Sequence, residues 1–244
     1  DHNATTPLRP EAITAMTDVM GPPSNPSSVH SYGQAAKHHI EHARRQLSGL
    51  IGAKPEEVIF TSGGTEANAM ALLRAIPQVI TTTIEHVAVL DTVLDAVPDA
   101  VHAPVGVDGV VDLSALDALA ADAPSGSLIS VMMANNETGV IQPIAEVVAI
   151  ARAYGHLVHS DAVQALGKID INFAESGLDL MSLSAHKIGG PTGVGALVQR
   201  EGLTSHPRLF GGGQEKNRRP GTENVMGIVG FGAAAAALLS PEHK

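Results

Sequence analysis

The sequence predicts an α/β fold, a three-layer domain in which a mostly parallel sheet carries helices on both faces. Three observations lead there. Helical patterns alternate with short apolar runs along the 244 residues. The apolar runs lack in-and-out alternation, as expected of strands covered on both sides. Polar clusters recur just after those runs, at the strand ends where open parallel sheets bind ligands. Residues 1–225 read as one large domain. Residues 226–244 read as the start of a connecting helix toward a smaller domain that is absent from this chain.

Pro7 precedes a short amphipathic helix over 9–20, and three prolines make 21–28 a loop. A long helix is expected over 33–51. The first strand, 58–60, runs into Thr61-Ser62-Gly63-Gly64-Thr65-Glu66 and a helix over 66–74. Further strands are expected at 79–82, 100–104, 128–133, 157–160, 180–184 and 195–199. Helices are expected at 87–96, 113–121 and 143–154, with an Ala-rich helix over 231–239.

Composition sets bounds. Aromatic residues are only 2% of the chain and Trp is absent, so Ala, Val, Leu and Ile have to build the core. A formal net charge of −10 argues against nucleic acid or an anionic membrane as a main partner, since both select basic patches. No apolar run approaches the length of a membrane span, and the opening Asp1-His2-Asn3 has no signal-peptide character. A cytoplasmic protein is expected. There is no cysteine, which excludes disulfides, zinc–thiolate sites and cysteine nucleophiles within these residues. No initiator Met is present, so the chain is expected to be a fragment or a partly represented longer protein.

Four clusters carry candidate chemistry. The glycine turn at Thr61 to Thr65 opens a helix, where free N–H groups and the helix dipole suit a phosphate. The alternative is a plain helix start capped by Ser62 or Thr65. Asp161 ends a buried strand, where a carboxylate is costly unless paired. It could face a protonated pyridine nitrogen, or simply cap a loop. Lys187 follows a strand and His186. At a ligand edge a desolvated lysine can form an imine with an aldehyde, whereas most lysines are only solvated. His86 opens a helix and could stack on a flat cofactor or move a proton, or be an ordinary helix-start histidine. The other histidines, His30, His38, His39, His42, His156 and His206 among them, show no metal-ligand spacing. A polar, glycine-rich stretch from Gly211 to Asn224 carries Lys216, Arg218 and Arg219; it reads either as a solvated loop or as a segment long enough to reach a phosphate, in a neighbouring subunit for instance.

At these residues the sequence resembles cysteine desulfurases of the NifS/IscS type, in the class V aminotransferase group of fold-type I pyridoxal-phosphate (PLP) enzymes. Eight motifs carry the resemblance, in order and over essentially the whole chain. They open at Asp1–Pro7, Thr61–Glu66, Glu85-His86, Asn135–Gly139, His159–Gln164, Ser184–Lys187, Gly211–Glu215 and Arg219–Asn224. The resemblance implies that pyridoxal 5'-phosphate is held on Lys187. It implies that Asp161 pairs with the pyridine nitrogen and that Gln164 and Asn136 bond the phenolic-oxygen region. His86 would stack on the ring, and Gly64, Thr65, Ser184 and His186 would hold the phosphate. Thr222 would reach the neighbouring site of a homodimer.

The implied reaction takes L-cysteine to L-alanine and passes sulfur to an enzyme cysteine as a persulfide, then to a sulfur-acceptor protein, as in iron–sulfur cluster assembly. The family's nucleophilic cysteine and substrate-binding arginine lie in a part absent here, so the chain alone is not expected to complete the reaction. A selenocysteine lyase, an aminotransferase of the same class, or a non-catalytic PLP-binding or scaffold homologue are the rival readings.

Overall fold

The computed structural model describes residues 1–22, 25–204 and 209–240. Pro23 and Ser24 of the expected loop, His206, and residues 241–244 lie outside the described residues. The elements run α1 (Pro10–Asp18), α2 (Ser31–Leu50), a 3₁₀ turn (Pro55–Glu57), β1 (Val58–Thr61), α3 (Gly64–Leu72), β2 (Val79–Thr82), α4 (Val87–Ala96) and β3 (Val101–Ala103). They continue α5 (Leu113–Asp122), β4 (Leu128–Ser130), α6 (Ile144–Ala153), β5 (Leu157–Asp161), α7 (Phe173–Ser176), β6 (Leu180–Ser184), a second 3₁₀ turn (Ala185–Lys187), β7 (Gly195–Gln199), α8 (Gln214–Asn217) and α9 (Val225–Leu239).

The strands form one sheet in the order β1-β7-β6-β5-β4-β2-β3. From β3 to β6 every neighbouring pair is parallel, while β7 runs antiparallel to both β6 and β1. The ends of β1, β2, β4, β5 and β6 therefore all point to one edge of the sheet. Alternate strand residues feed two separate apolar clusters. Ile59, Val79, Leu128, Leu180 and Leu197 pack with α3 and α4. Phe60, Ile80, Ile129, Met181 and Val198 pack with α2, α6 and α9. This is the expected three-layer arrangement, and burial on both faces explains the unalternating strands.

Several boundaries differ from expectation for physical reasons. Strand β4 stops at Ser130, not Met133, at the last residue of its ladder with β2. Beyond that point only the β5 side still pairs, through Val131 N–H to His159 O and Met133 N–H to Asp161 O. Helix α2 begins at Ser31 because the ring Nδ1 of His30 accepts the Gly33 N–H and caps it. Helix α9 begins at Val225, six residues before the Ala-rich stretch, and packs back onto α1 and α2. Two single turns, α7 and α8, were not expected. They are too short to show periodicity. No helix among the described residues is long and apolar enough to cross a membrane.

The turn at α8 winds the left-handed way, with φ of 46°, 56° and 64° at Glu215, Lys216 and Asn217. Non-glycine residues resist that conformation. A buried ion pair holds it. Arg44 of α2 donates from Nη1 and Nη2 to the Glu215 carboxylate at 2.8 and 2.7 Å. Glu215 also accepts the Phe60 N–H at 2.9 Å, and the guanidinium lies over the Phe60 ring. Both side chains are at most 5% exposed. Removing one member strands the other charge, at a cost of about 3–5 kcal/mol. Glu215→Ala is expected to lower stability by about that amount, read as the shift in urea midpoint. A shift within error of zero would show that the pair does not hold the turn.

Candidate functional site

A cavity of about 550 Å³ opens at the sheet edge where the parallel strands end. Nine of the ten residues singled out in the sequence line it: Gly64, Thr65, His86, Asn136, Asp161, Gln164, Ser184, His186 and Lys187. They come from five stretches of chain at or after the ends of β1, β2, β4, β5 and β6. Thr222 does not line it. It sits exposed beside a smaller cleft with Thr61, Ser62 and Arg219.

Asp161 is the buried end of β5. Its Oδ2 accepts the Asn68 amide at 2.7 Å and its Oδ1 accepts the Val163 N–H at 3.0 Å. Burial pushes its pKa up, while those two donors and the charges of His86 and Lys187 pull it down. The net direction is upward, so the protein alone does not fully compensate this carboxylate. Sequence reasoning missed Asn68. It lies on α3, three and four residues after Thr65 and Gly64, so helical spacing puts all three on one face.

Lys187 closes the second 3₁₀ turn. Its Nζ donates to the backbone carbonyls of Asn3 and of Ala4, the latter at 3.0 Å. Burial lowers its pKa, and Asp161 opposes that. The N-terminal segment supplying those carbonyls is strapped along 186–189. Thr6 donates twice to His186 O, and Thr6 Oγ1 accepts the Gly189 N–H at 2.6 Å. Sequence reasoning missed these acceptors because backbone carbonyls leave no side-chain signal.

Helix α3 starts with Gly63 as its cap residue, and no side chain caps it. Neither Ser62 nor Thr65 takes that role. Instead Glu66 reaches back to the Ser62 N–H and is itself held by Arg219 at 2.8 Å. No side chain caps the first turn, and its residues Gly64 and Thr65 line the cavity. Gly64 allows the close approach: a Cβ there would lie 2.8 Å from Val163 Cγ2. His86 caps α4, its Nδ1 accepting the Ala88 N–H at 3.1 Å. That bond places the proton of the neutral ring on Nε2. His86 thus caps the helix and also lines the cavity.

PLP has four demands, and the residues present fit them. A cation-facing carboxylate (Asp161), an amine (Lys187), an uncapped helix N-terminus (α3) and enough volume occur in one cavity. The decisive observation is geometric: the buried Asp161 carboxylate and the half-buried Lys187 amine open on one cavity.

The aminotransferase class-V family model matches residues 1–242. The chain belongs to the aminotransferase class-V family. Within this family it is 44% identical to the IscS-like cysteine desulfurase of Mycobacterium tuberculosis, over 96% of this chain and 63% of that protein. It is 42% identical to the selenocysteine lyase of Bos taurus, over 96% of this chain and 63% of that protein. Among solved structures, a NifS-like protein from Rickettsia africae superposes with a TM-score of 0.93 at 40% identity, over 98% of this chain and 68% of that one. The NifS/IscS resemblance and the class-V fold are thus borne out, and the chain spans just under two thirds of these curated relatives' length.

Beside the cavity, the class-V chain buries a second acid. Glu85 Oε1 accepts the Thr82 hydroxyl and the Met132 N–H, both at 2.8 Å, while its Oε2 has no partner. Burial, reinforced by the Asp161 charge, pushes its pKa up to about 8. The sequence reading quoted the Glu85-His86 pair but weighed only the histidine. Because the folded value exceeds the unfolded one, the folded state holds an extra proton between about pH 4.5 and 8. Stability from this group is complete below that window and is lost as pH rises through it. Glu85→Gln mimics the protonated acid. Its melting temperature minus that of the parent is expected to grow between roughly pH 5 and pH 8. Equal differences at the two pH values would refute a buried neutral acid.

Proposed function

We propose that these residues form the PLP-binding domain of a cysteine desulfurase. The supporting observation is the pairing of Lys187 and Asp161 across one cavity bounded by the α3 N-terminus. In this reading Asp161 accepts the proton-bearing pyridine nitrogen and Lys187 carries the cofactor. Gly64, Thr65, Ser184 and His186 hold the phosphate, Gln164 and Asn136 bind the phenolic-oxygen region, and His86 stacks on the ring. When bound, PLP supplies an electron sink for carbanion chemistry at the substrate α-carbon.

The chain's own part is proton transfer and orientation. The Lys187 amine, released from Asn3 and Ala4, moves protons at the substrate α-carbon. The Ala88 N–H fixes the His86 ring so that Nε2 is the nitrogen available for exchange. The overall change is L-cysteine plus a thiol giving L-alanine plus a persulfide. The sequence holds no cysteine, so that thiol has to come from outside these 244 residues. Thr222, exposed beside the Glu66–Arg219 pair, suits a residue serving the cavity of a second copy in a homodimer. A downstream sulfur-acceptor protein and a cytoplasmic setting belong to the same proposal. Selenocysteine is the second substrate reading, favoured by the 42% identity to a selenocysteine lyase.

Two measurements test this. Adding PLP to the chain is expected to produce a near-visible absorbance band, bleached by borohydride, with the label left on Lys187. Lys187→Ala should abolish the band, and its absence from the parent protein would sink the cofactor assignment. In the full-length protein, alanine release from L-cysteine should fall about 10²–10⁴-fold on Lys187→Ala, as for loss of a positioned base. Release from selenocysteine but not cysteine would favour the second reading.

A further inference from the structure

We propose that Lys168 is a positioning residue that fixes which end of the Gln164 amide faces the cavity. This rests on the PLP reading of the site and extends it to a residue outside the eight motifs.

Gln164 lies buried in the turn after β5 and borders the cavity. Its amide has an acceptor end and a donor end, and only the donor end can serve an anionic oxygen. A half-turn about the last side-chain bond exchanges the two. Some neighbour has to choose between them. Lys168 Nζ donates to Gln164 Oε1 at 2.6 Å and to Asn3 Oδ1 at 3.0 Å. An ammonium has three donors and no acceptor, so Oε1 is the only amide atom it can hold. That forces Nε2 the other way, where it donates to Asn3 O at 2.8 Å. The same carbonyl accepts from Lys187 Nζ. The Gln164 donor and the Lys187 amine thus converge on one oxygen at the cavity wall.

The backbone is shaped to bring Lys168 there. Ala165 and Leu166 both donate to Ala162 O, and Lys168 donates to Ala165 O, closing a tight turn. Gly167 has φ of 69°, and a Cβ there would lie 2.6 Å from Leu238 Cδ1. The chain reverses at this glycine and carries Lys168 back over Gln164. The position is otherwise unfavourable for a cation. Partial burial and the charge of Lys187 both lower the Lys168 pKa. The structure shows the ammonium bonded to two amide oxygens, Gln164 Oε1 and Asn3 Oδ1, which suits an orienting role better than an ion pair.

The test compares Lys168→Met, which keeps the stem and removes the donors, with Lys168→Arg, which keeps charge and donors. Lys168 is exposed, so neither variant disturbs the core. The first readout needs no cofactor: the ¹⁵N-edited side-chain amide resonances of Gln164, assigned by their loss in Gln164→Leu. They are expected to move toward free-amide positions in Lys168→Met and to stay near parental values in Lys168→Arg. The second readout is PLP affinity in a double-mutant cycle. Lys168→Met should weaken binding about five-fold, the size of one hydrogen bond, and have no further effect in a Gln164→Leu background.

Unmoved amide resonances in Lys168→Met would overturn the proposal. So would unchanged PLP affinity with a released amide, or an equal loss of affinity in both backgrounds. If the parent protein binds no PLP, the function proposed above fails, while the amide resonances still decide what Lys168 does to Gln164.

Discussion

A carboxylate at the end of a strand buried on both faces is the constraint around which this site is built. Asp161 is buried except where it opens on the cavity, and an uncompensated buried charge is among the most expensive features a fold can carry. The protein supplies part of the compensation. Asn68 and the Val163 N–H fix its two oxygens, and His86 and Lys187 contribute charge. Glu85 contributes by staying neutral. As a protonated acid it leaves the negative charge concentrated at Asp161 instead of shared between two neighbouring carboxylates. His159, on the same face of β5, is likewise neutral. Burial pushes its pKa down to about 3, and its ring nitrogens are occupied by Ser130 and Ser182. The sheet beneath the cavity is polar yet uncharged except at one point.

The surroundings of the cavity are held by a second set of charges that never touch it. The Arg44–Glu215 pair fastens the left-handed turn to β1, and the Arg219–Glu66 pair fastens the following loop to the first turn of α3. Glu66 thereby does two jobs. It satisfies the Ser62 N–H ahead of the helix and ties down the loop that carries Thr222. The backbone strain at 215–217 is tolerated because a desolvated, bidentate guanidinium fixes it from the core side.

Much of this was legible in the sequence. All seven strands were visible as short, largely apolar runs, because strands covered on both faces fill most positions with apolar side chains. The cavity residues were visible as polar clusters at the ends of those runs. What escaped notice was relational. The acceptors of Lys187 are carbonyls of Asn3 and Ala4, more than 180 positions away, and a carbonyl carries no residue identity. Asn68 was readable by helical spacing from Gly64 but was passed over. Turn α8 was invisible because nothing in Gln-Glu-Lys-Asn signals positive φ, which is imposed by Arg44 from another helix. Thr222 was named, yet its own cavity is elsewhere, and no pattern within one chain places a residue relative to a second copy.

The strap formed by residues 3–9 has a consequence for synthesis. Thr6 bonds a carbonyl 180 residues later, and Arg9 bonds the carbonyls of Ile188 and Gly189. During translation residues 3–9 have nothing to close against until β6 and the turn after it have emerged. One wall of the pocket is thus made well before the turn it closes on and is seated only after that turn exists. Contacts of such long sequence separation form slowly, because loop closure has to be offset before they gain anything. Until that closure, the cavity side of Asp161 stays open to solvent, and the low-dielectric environment arrives only when residues 3–9 seat against 186–189.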